Sequence, residues 1–461
     1  MEFQAVIMAA GRGSHMMDLT ASMPKPLLPI GNRPMIWYPV NMLQNAGFER
    51  AMIVTFESVG RDMIQAIYAA GGIKIDLEIV TIPNDEDWGA ADSLRHIRDK
   101  IKTDVLVVSC DLVTNVELHL LADVHRAYDA TATILLQSLK DQSAEGVPVP
   151  GTKSKRKSDQ RDIIGLDDKG QRLLLLTAEA DIDEALSIRT SLLRQHPYIQ
   201  IKTNLKDAHM YILKKWVVDF LAENEAAKEH STVKGELIPY LVKKQFSRPS
   251  GKGDKNEDQM DSIDPIQNNK QKDIDSYYSV NELTKTATEM SSWSEYGDSM
   301  SSASDNHIRC HTHIMQEGFC MRANTTAAYC EVNRQIVQQK LLYDDEPLTH
   351  PSASIKPKTT IGQDSMVGEG TTIGEKDSVK RSIIGKHCSI GDKVKIANSV
   401  VMDHVTIKDG CTIQGSILCG NTHINEGVEL KDCIVGSSQN VPEKSKFSNE
   451  VIGDSNRMME I

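Results

Sequence analysis

Glycines that follow a buried strand let backbone N–H groups approach a phosphate, and a lysine between prolines is held in a restricted backbone. The run Gly11-Arg12-Gly13-Ser14, followed by Pro24-Lys25-Pro26-Leu27-Leu28-Pro29, has those residue types in that order. The apolar stretch Phe3–Met8 before it supplies the strand. A carboxylate, Asp111, follows a second apolar run, Val105–Ser109. Such a group could hold a magnesium ion that bridges phosphates, or simply cap a helix behind it. Two residues oppose phosphate chemistry. His15 in the glycine loop lacks the planar fork with which an arginine grips a phosphate. Asp18 adds negative charge beside a site suited to polyanions.

Gly11, Gly13, Ser14, Met16, Leu19, Thr20, Pro24, Lys25, Pro26 and Leu27 together resemble the signature of the sugar-1-phosphate nucleotidylyltransferases. That signature runs Gly-x-Gly-Ser/Thr-Arg-Leu/Met-x-Pro-Leu-Thr, then Pro-Lys-Pro-Leu. The resemblance implies a nucleotide pocket with Asp111 as its metal carboxylate and Gly89-Ala90-Ala91-Asp92 as its base-contacting Gly-Thr-Ala segment. The departures are several. His15 replaces Arg, Asp18 replaces Pro, and Ala90 has lost a hydroxyl. No Glu-Lys-Pro motif occurs where the chain reads Arg172-Leu173-Leu174-Leu175-Leu176-Thr177-Ala178-Glu179. His209, in Asp207-Ala208-His209-Met210-Tyr211, stands where a glycine would let a sugar approach. Gly11, Gly13, His15, Lys25, Gly89 and Asp111 are therefore expected to line a vestigial nucleotide pocket. No catalytic residue, metal site or cofactor is expected.

The elements that must position these residues alternate. Strands are predicted at Phe3–Met8, Ala51–Thr55, Leu77–Ile82, Val105–Ser109 and Thr133–Gln137, with helices between them. One helix is predicted over Pro34–Asn45, with Pro34 in its first turn and Gly47 at its end. Such alternation predicts an α/β, Rossmann-like domain with a mainly parallel sheet, whose ligands bind at the carboxyl ends of the strands. The Gly11 loop and Asp111 would both lie there.

Composition sets the wider limits. The chain has 461 residues, 40% of them hydrophobic, enough for two or three domains with a sizeable core. Its net charge of −12 argues against a nucleic-acid-coating surface. The basic run Lys153–Arg161 reads as a solvated loop within an extended segment, 141–161. Eight cysteines form no CxxC pair and match no zinc spacing, which suits reduced thiols in the cytosol. No stretch is long and apolar enough to span a membrane.

Residues 1–247 carry the first domain. The segment 248–306 is dominated by Ser, Asp, Asn, Lys and Gln and is expected to be a disordered polar insert. Ordered composition returns at 307–340, expected to complete the first domain. Residues 350–445 are a repeat. Aliphatic residues recur at 355, 361, 367, 373, 379, 384, 390, 396, 401, 407, 413, 418, 424, 430 and 435. Steps of six shorten to five at regular intervals, on reaching Ile384, Val401, Leu418 and Val435. Sides of six, six and five close one coil, so the repeat predicts a parallel β-helix, by resemblance the left-handed, triangular kind. Residues 446–461 are expected to be a tail. Left-handed β-helices also occur in acyltransferases with a histidine base. His387 and His404 share one phase of the coil repeat but have no projecting loop to shape an acyl pocket, so solvated coil residues are the expectation.

The opening run Pro24-Lys25-Pro26-Leu27-Leu28-Pro29-Ile30-Gly31-Asn32, the returning segment His311-Thr312-His313-Ile314-Met315 and the ending Asn449-Glu450-Val451-Ile452 with Met459-Glu460-Ile461 resemble the gamma subunits of eukaryotic translation initiation factor 2B. That resemblance implies a cytosolic, non-catalytic subunit of the complex that exchanges GDP for GTP on translation initiation factor 2. Its partners would be a catalytic epsilon subunit and, in the larger assembly, the alpha, beta and delta subunits, with neither nucleic acid nor membrane bound directly. The stretch 442–461 after Val441 is too short for the catalytic domain that the resemblance places after the β-helix of epsilon. The alternative is an active sugar-1-phosphate nucleotidylyltransferase of the GDP-mannose pyrophosphorylase kind.

Overall fold

The computed structural model describes residues 2–84, 88–138, 150–151, 161–182, 186, 188, 190–246, 274, 277, 308–339 and 347–453. Most of the 141–161 loop, with its basic run, lies outside them. So does the 248–306 insert, apart from Ile274 and Tyr277.

Alternating burial builds the first domain. In the strand Phe3–Met8, Phe3, Ala5 and Ile7 join one core cluster and Val6 the other. The sheet is thus covered on both faces, as parallel sheets are. Its seven strands run in the order Cys310–Met315, Ala132–Ser138, Leu205–Leu213, Asp104–Ser109, Phe3–Met8, Arg50–Phe56 and Asp76–Ile82. Only Leu205–Leu213 runs against its neighbours. The five predicted strands are all present, each within a residue of its expected ends. The edge strand Cys310–Met315 comes from beyond the insert and pairs in parallel with Ala132–Ser138. Behind it follow the strand Cys320–Arg322 and the helix Thr326–Gln339.

The predicted helix at Pro34–Asn45 begins later, at Trp37. Pro34 instead pairs with Pro29 in a two-residue hairpin, with Ile30 opposite Arg33. Gly31 and Asn32 form its turn with φ of 54° and 63°. Positive φ at both central residues is what a tight hairpin demands, and Gly and Asn tolerate it best. Gly47 closes the helix with φ 86°.

The C-terminal part consists of three parallel six-stranded sheets. Ile384, Val401, Leu418 and Val435 stack in register, each one coil from the next. The first coil is one residue longer, with Ile361 opposite Val379, which matches its unshortened steps. Most corners turn through a left-handed residue, for example Lys376, Lys393 and Gly410 along one edge. His387 and His404 occupy another such edge. Their rings are exposed and stack on each other at 5.3 Å. The stack also runs past residue 445, through Lys446–Ser448 and Val451–Ile452. The last coil therefore takes in residues expected as tail.

A second row of aliphatics points out of the coils. Met366, Ile383, Val400, Ile417 and Ile434, one from each successive coil, are buried in the same cluster as Ile30, Tyr329 and Ile336 of the first domain. Each contributes about 1.5–3 kcal/mol over exposure. The β-helix is thus fused to the first domain through one apolar seam. Asn32 adds a polar pin, donating its side-chain amide to the Ile384 carbonyl at 3.0 Å.

Ile384→Asp would place a charge inside the coils. It should cost at least about 3 kcal/mol in denaturant unfolding. Thr412→Asp, on an exposed outer position, should stay within about 0.5 kcal/mol of the parent. Equal effects would show that the inward register is wrong.

Candidate functional site

Asp111 sits at the carboxyl end of the strand Asp104–Ser109, fully buried. A short strand, Leu112–Thr114, follows it rather than a helix, so the capping reading does not hold. Four donors meet its carboxylate. Lys25 Nζ donates to Oδ2 at 2.6 Å, and Ser109 Oγ donates to Oδ1 at 2.6 Å. Arg322 forks onto both oxygens, with Nε at 3.0 Å from Oδ1 and Nη2 at 2.9 Å from Oδ2. Burial opposes the charge on Asp111, but Lys25 and Arg322 outweigh it and hold the carboxyl well below its usual range.

Local sequence explains how the two cations arrive. Lys25 opens a 3-10 turn, Lys25–Leu27, between Pro24 and Pro26. Arg322 ends the strand Cys320–Arg322, which pairs antiparallel with Leu112–Thr114 beside Asp111. Arg322 lies 211 residues from Asp111 in sequence. No local motif announces it, and the sequence reading missed it.

The carboxylate that the nucleotidylyltransferase resemblance assigns to magnesium is therefore already satisfied. Both its oxygens carry cationic donors, so the residues present do not fit a divalent ion. Among the described residues, no group of three His, Cys, Asp or Glu side chains is placed to hold a metal.

Neighbours reinforce the closure. His209 has φ 53° at an irregularity in the pairing of Leu205–Leu213 with Ala132–Ser138. A glycine would adopt that conformation without strain. The His209 N–H donates to Asp207 Oδ1 at 2.7 Å, and the Tyr211 hydroxyl donates to Asp207 Oδ2 at 2.5 Å. Burial, then the charge of Arg322, lowers the His209 imidazole far below its ordinary value. The His209 ring is thus held neutral.

The other expected residues scatter around this cluster. Gly11 and Lys25 line an open cleft of about 280 Å³ with Arg12, Phe56 and Asn84. Gly13 has φ 75°, and a Cβ there would meet Thr20 Cγ2 at 2.7 Å. His15 is exposed on the 3-10 turn Ser14–Met16 and is not among the residues lining that cleft. Gly89 precedes the helix Ala90–His96 and faces the Ser231 carbonyl so closely that a Cβ would lie 2.1 Å from it. The Ser231 carbonyl accepts the Ala91 N–H at 2.9 Å, and the Ser231 hydroxyl donates to Asp92 at 2.7 Å. Ser231, also missed in sequence, thus fills the turn expected to meet a base.

Comparisons with known proteins match both parts of the chain. Residues 4–296 match a family model described as nucleotidyl transferase, and residues 348–447 match one described as the LbH domain of the eIF2B epsilon subunit. The translation initiation factor eIF2B subunit gamma of Schizosaccharomyces pombe is 31% identical over 82% of this chain and 74% of its own length. That of Dictyostelium discoideum is 31% identical over 83% of this chain and 87% of its own. The chain belongs to the eIF2B gamma-subunit family. A mannose-1-phosphate guanyltransferase of Saccharomyces cerevisiae is similar over a smaller part, 29% identical across 32% of this chain and 41% of its own. This chain thus carries a nucleotidyltransferase body and a left-handed β-helix. Among the described residues, no helix is long and apolar enough to cross a membrane.

Two outcomes test the cluster. Asp111→Asn should destabilise the protein by about 3–5 kcal/mol, because it leaves Lys25 and Arg322 buried beside a neutral amide. Denaturant unfolding reads this directly, and a change below about 1 kcal/mol would refute the burial of charge described. His209 has a folded pKa below its unfolded value of about 6.5, so its contribution is complete above that pH and is lost as pH falls. His209→Asn should remove up to about 1.4 kcal/mol per pH unit of the stability lost below pH ~6.

Proposed function

We propose that this chain is the non-catalytic partner of an exchange engine. It would assist a catalytic epsilon subunit in replacing GDP by GTP on translation initiation factor 2, within a larger assembly that includes alpha, beta and delta subunits. Membership of the gamma-subunit family supports the assembly. The observation that carries the non-catalytic part is the internal pairing of Asp111 with Lys25 and Arg322.

A pyrophosphorylase must stabilise the charge that develops on transferring phosphates, usually with a metal ion and a forked cation. In this chain the candidate metal carboxylate is spent on two internal cations. Gly11, Gly13, His15, Lys25, Gly89 and Asp111 are then remnants of a pocket and act in folding. What remains useful is surface: a rigid body and a β-helix fused to it. Such a body can hold a substrate protein in position, and orientation alone lowers a barrier without new chemistry. The contact with epsilon would be permanent and bury more than roughly 2,000 Å².

Release of fluorescent GDP from translation initiation factor 2 tests the proposal. This chain alone should leave the rate at background, and epsilon with this chain should exceed epsilon alone. Rapid release by this chain alone would overturn the non-catalytic role. No gain over epsilon would overturn the accessory one. In parallel, the chain should form no sugar nucleotide from nucleoside triphosphates and sugar-1-phosphates with magnesium, and His15→Arg should not change that. Turnover above background would favour the pyrophosphorylase alternative.

A further inference from the structure

Between Phe246 and Ile308 the chain is long and polar. Both ends emerge together, since the Cys310 N–H donates to Gln245 Oε1 at 3.0 Å. Near its middle, two residues are seated on the first domain. Ile274 is only 3% exposed and belongs to the second core cluster. Tyr277 packs against the same cluster, its ring edge-on to Phe220 with centroids 5.7 Å apart and planes at 80°. The Tyr277 N–H donates to the Ile274 carbonyl at 3.1 Å.

The receiving surface is built from two helices. Lys215–Glu223 supplies Phe220, itself buried, and Ile238–Lys244 supplies Tyr240, stacked on Phe220 at 5.7 Å. An ionic rim borders it, where Arg98 joins Asp219 at 2.8 Å and also Glu223. An aromatic floor with a charged rim suits a short motif that presents an aliphatic and an aromatic side chain three residues apart.

We propose that the Phe220–Tyr240 surface is a docking groove for a motif of the form Ile-x-x-Tyr, and that this chain fills it in cis with Ile274 and Tyr277. The occupant is the chain's own insert. It divides that insert into two spans of similar length, 247–273 and 278–307. A closed span of that size costs only modest entropy, since loop closure grows slowly with length. Burial of the two anchoring side chains outweighs the ordering it requires by a small margin, so Ile274 and Tyr277 hold the groove most of the time and can leave it while the body stays folded.

Limited chymotrypsin digestion of the full chain tests this. Cleavage after Tyr277 is compared with cleavage after Trp293 in the same insert, each normalised to a synthetic peptide spanning residues 270–297. In the parent chain Tyr277 should be cut at least about tenfold more slowly than Trp293. Ile274→Asp should abolish that difference without moving the melting temperature, and Ile274→Val should keep it. The protection should not change on hundredfold dilution. Equal cutting at both sites in the parent, or protection that survives Ile274→Asp, would overturn the groove. Protection lost on dilution would overturn the assignment in cis and place a second copy's insert in the groove.

Discussion

A carboxylate removed from water must be neutralised, and the way Asp111 is neutralised organises the first domain. Its partners are the neighbouring Ser109 and two cations from distant parts of the chain, the proline-flanked Lys25 and Arg322 from beyond the insert. With fully buried Asp111 at its centre, the cluster ties the returning segment to the mouth of the parallel sheet. The cluster lies at the carboxyl end of the sheet, where an α/β fold ordinarily binds its ligand. His209 and Ser231 are likewise held internally, His209 by the Asp207 carboxylate and Ser231 by the start of the helix Ala90–His96.

The second half of the molecule depends on a different constraint, the triangular coil. Each coil puts one aliphatic of its short side inside and the one before it outside. The inner row closes the stack. The outer row, from Met366 to Ile434, would be an exposed apolar stripe if it were left bare. Its burial against the first domain makes the two halves one body. A body of that kind can present fixed surfaces to partners, which suits a subunit whose proposed contribution is positional.

Much of this was legible in the sequence because it rests on periodicity. The strands Phe3–Met8 and Asp104–Ser109 follow from apolar runs, and the coil register follows from the repeated shortening of six to five. The outer row was visible as the doubled aliphatics Ile383-Ile384 and Ile417-Leu418, but a single chain pattern does not say what covers the outward member of each pair. The hairpin at Gly31-Asn32 was obscured because Pro34 suits a first helical turn as readily as a strand end. Arg322 was illegible for a deeper reason. Its partner is remote in sequence, and an isolated arginine carries no spacing that points to a carboxylate. A motif shows residue types suited to a chemistry; it does not show which remote residue pairs with them in the fold.

The most direct test of that internal pairing is a double-mutant cycle on stability, combining Asp111→Asn with Arg322→Met. Groups that neutralise each other in the interior should couple strongly, so the two losses should fall short of additivity by about 2 kcal/mol or more. Additivity within about 0.5 kcal/mol would mean that Asp111 and Arg322 do not depend on each other. The claim that an internal cation has closed this site would then be wrong.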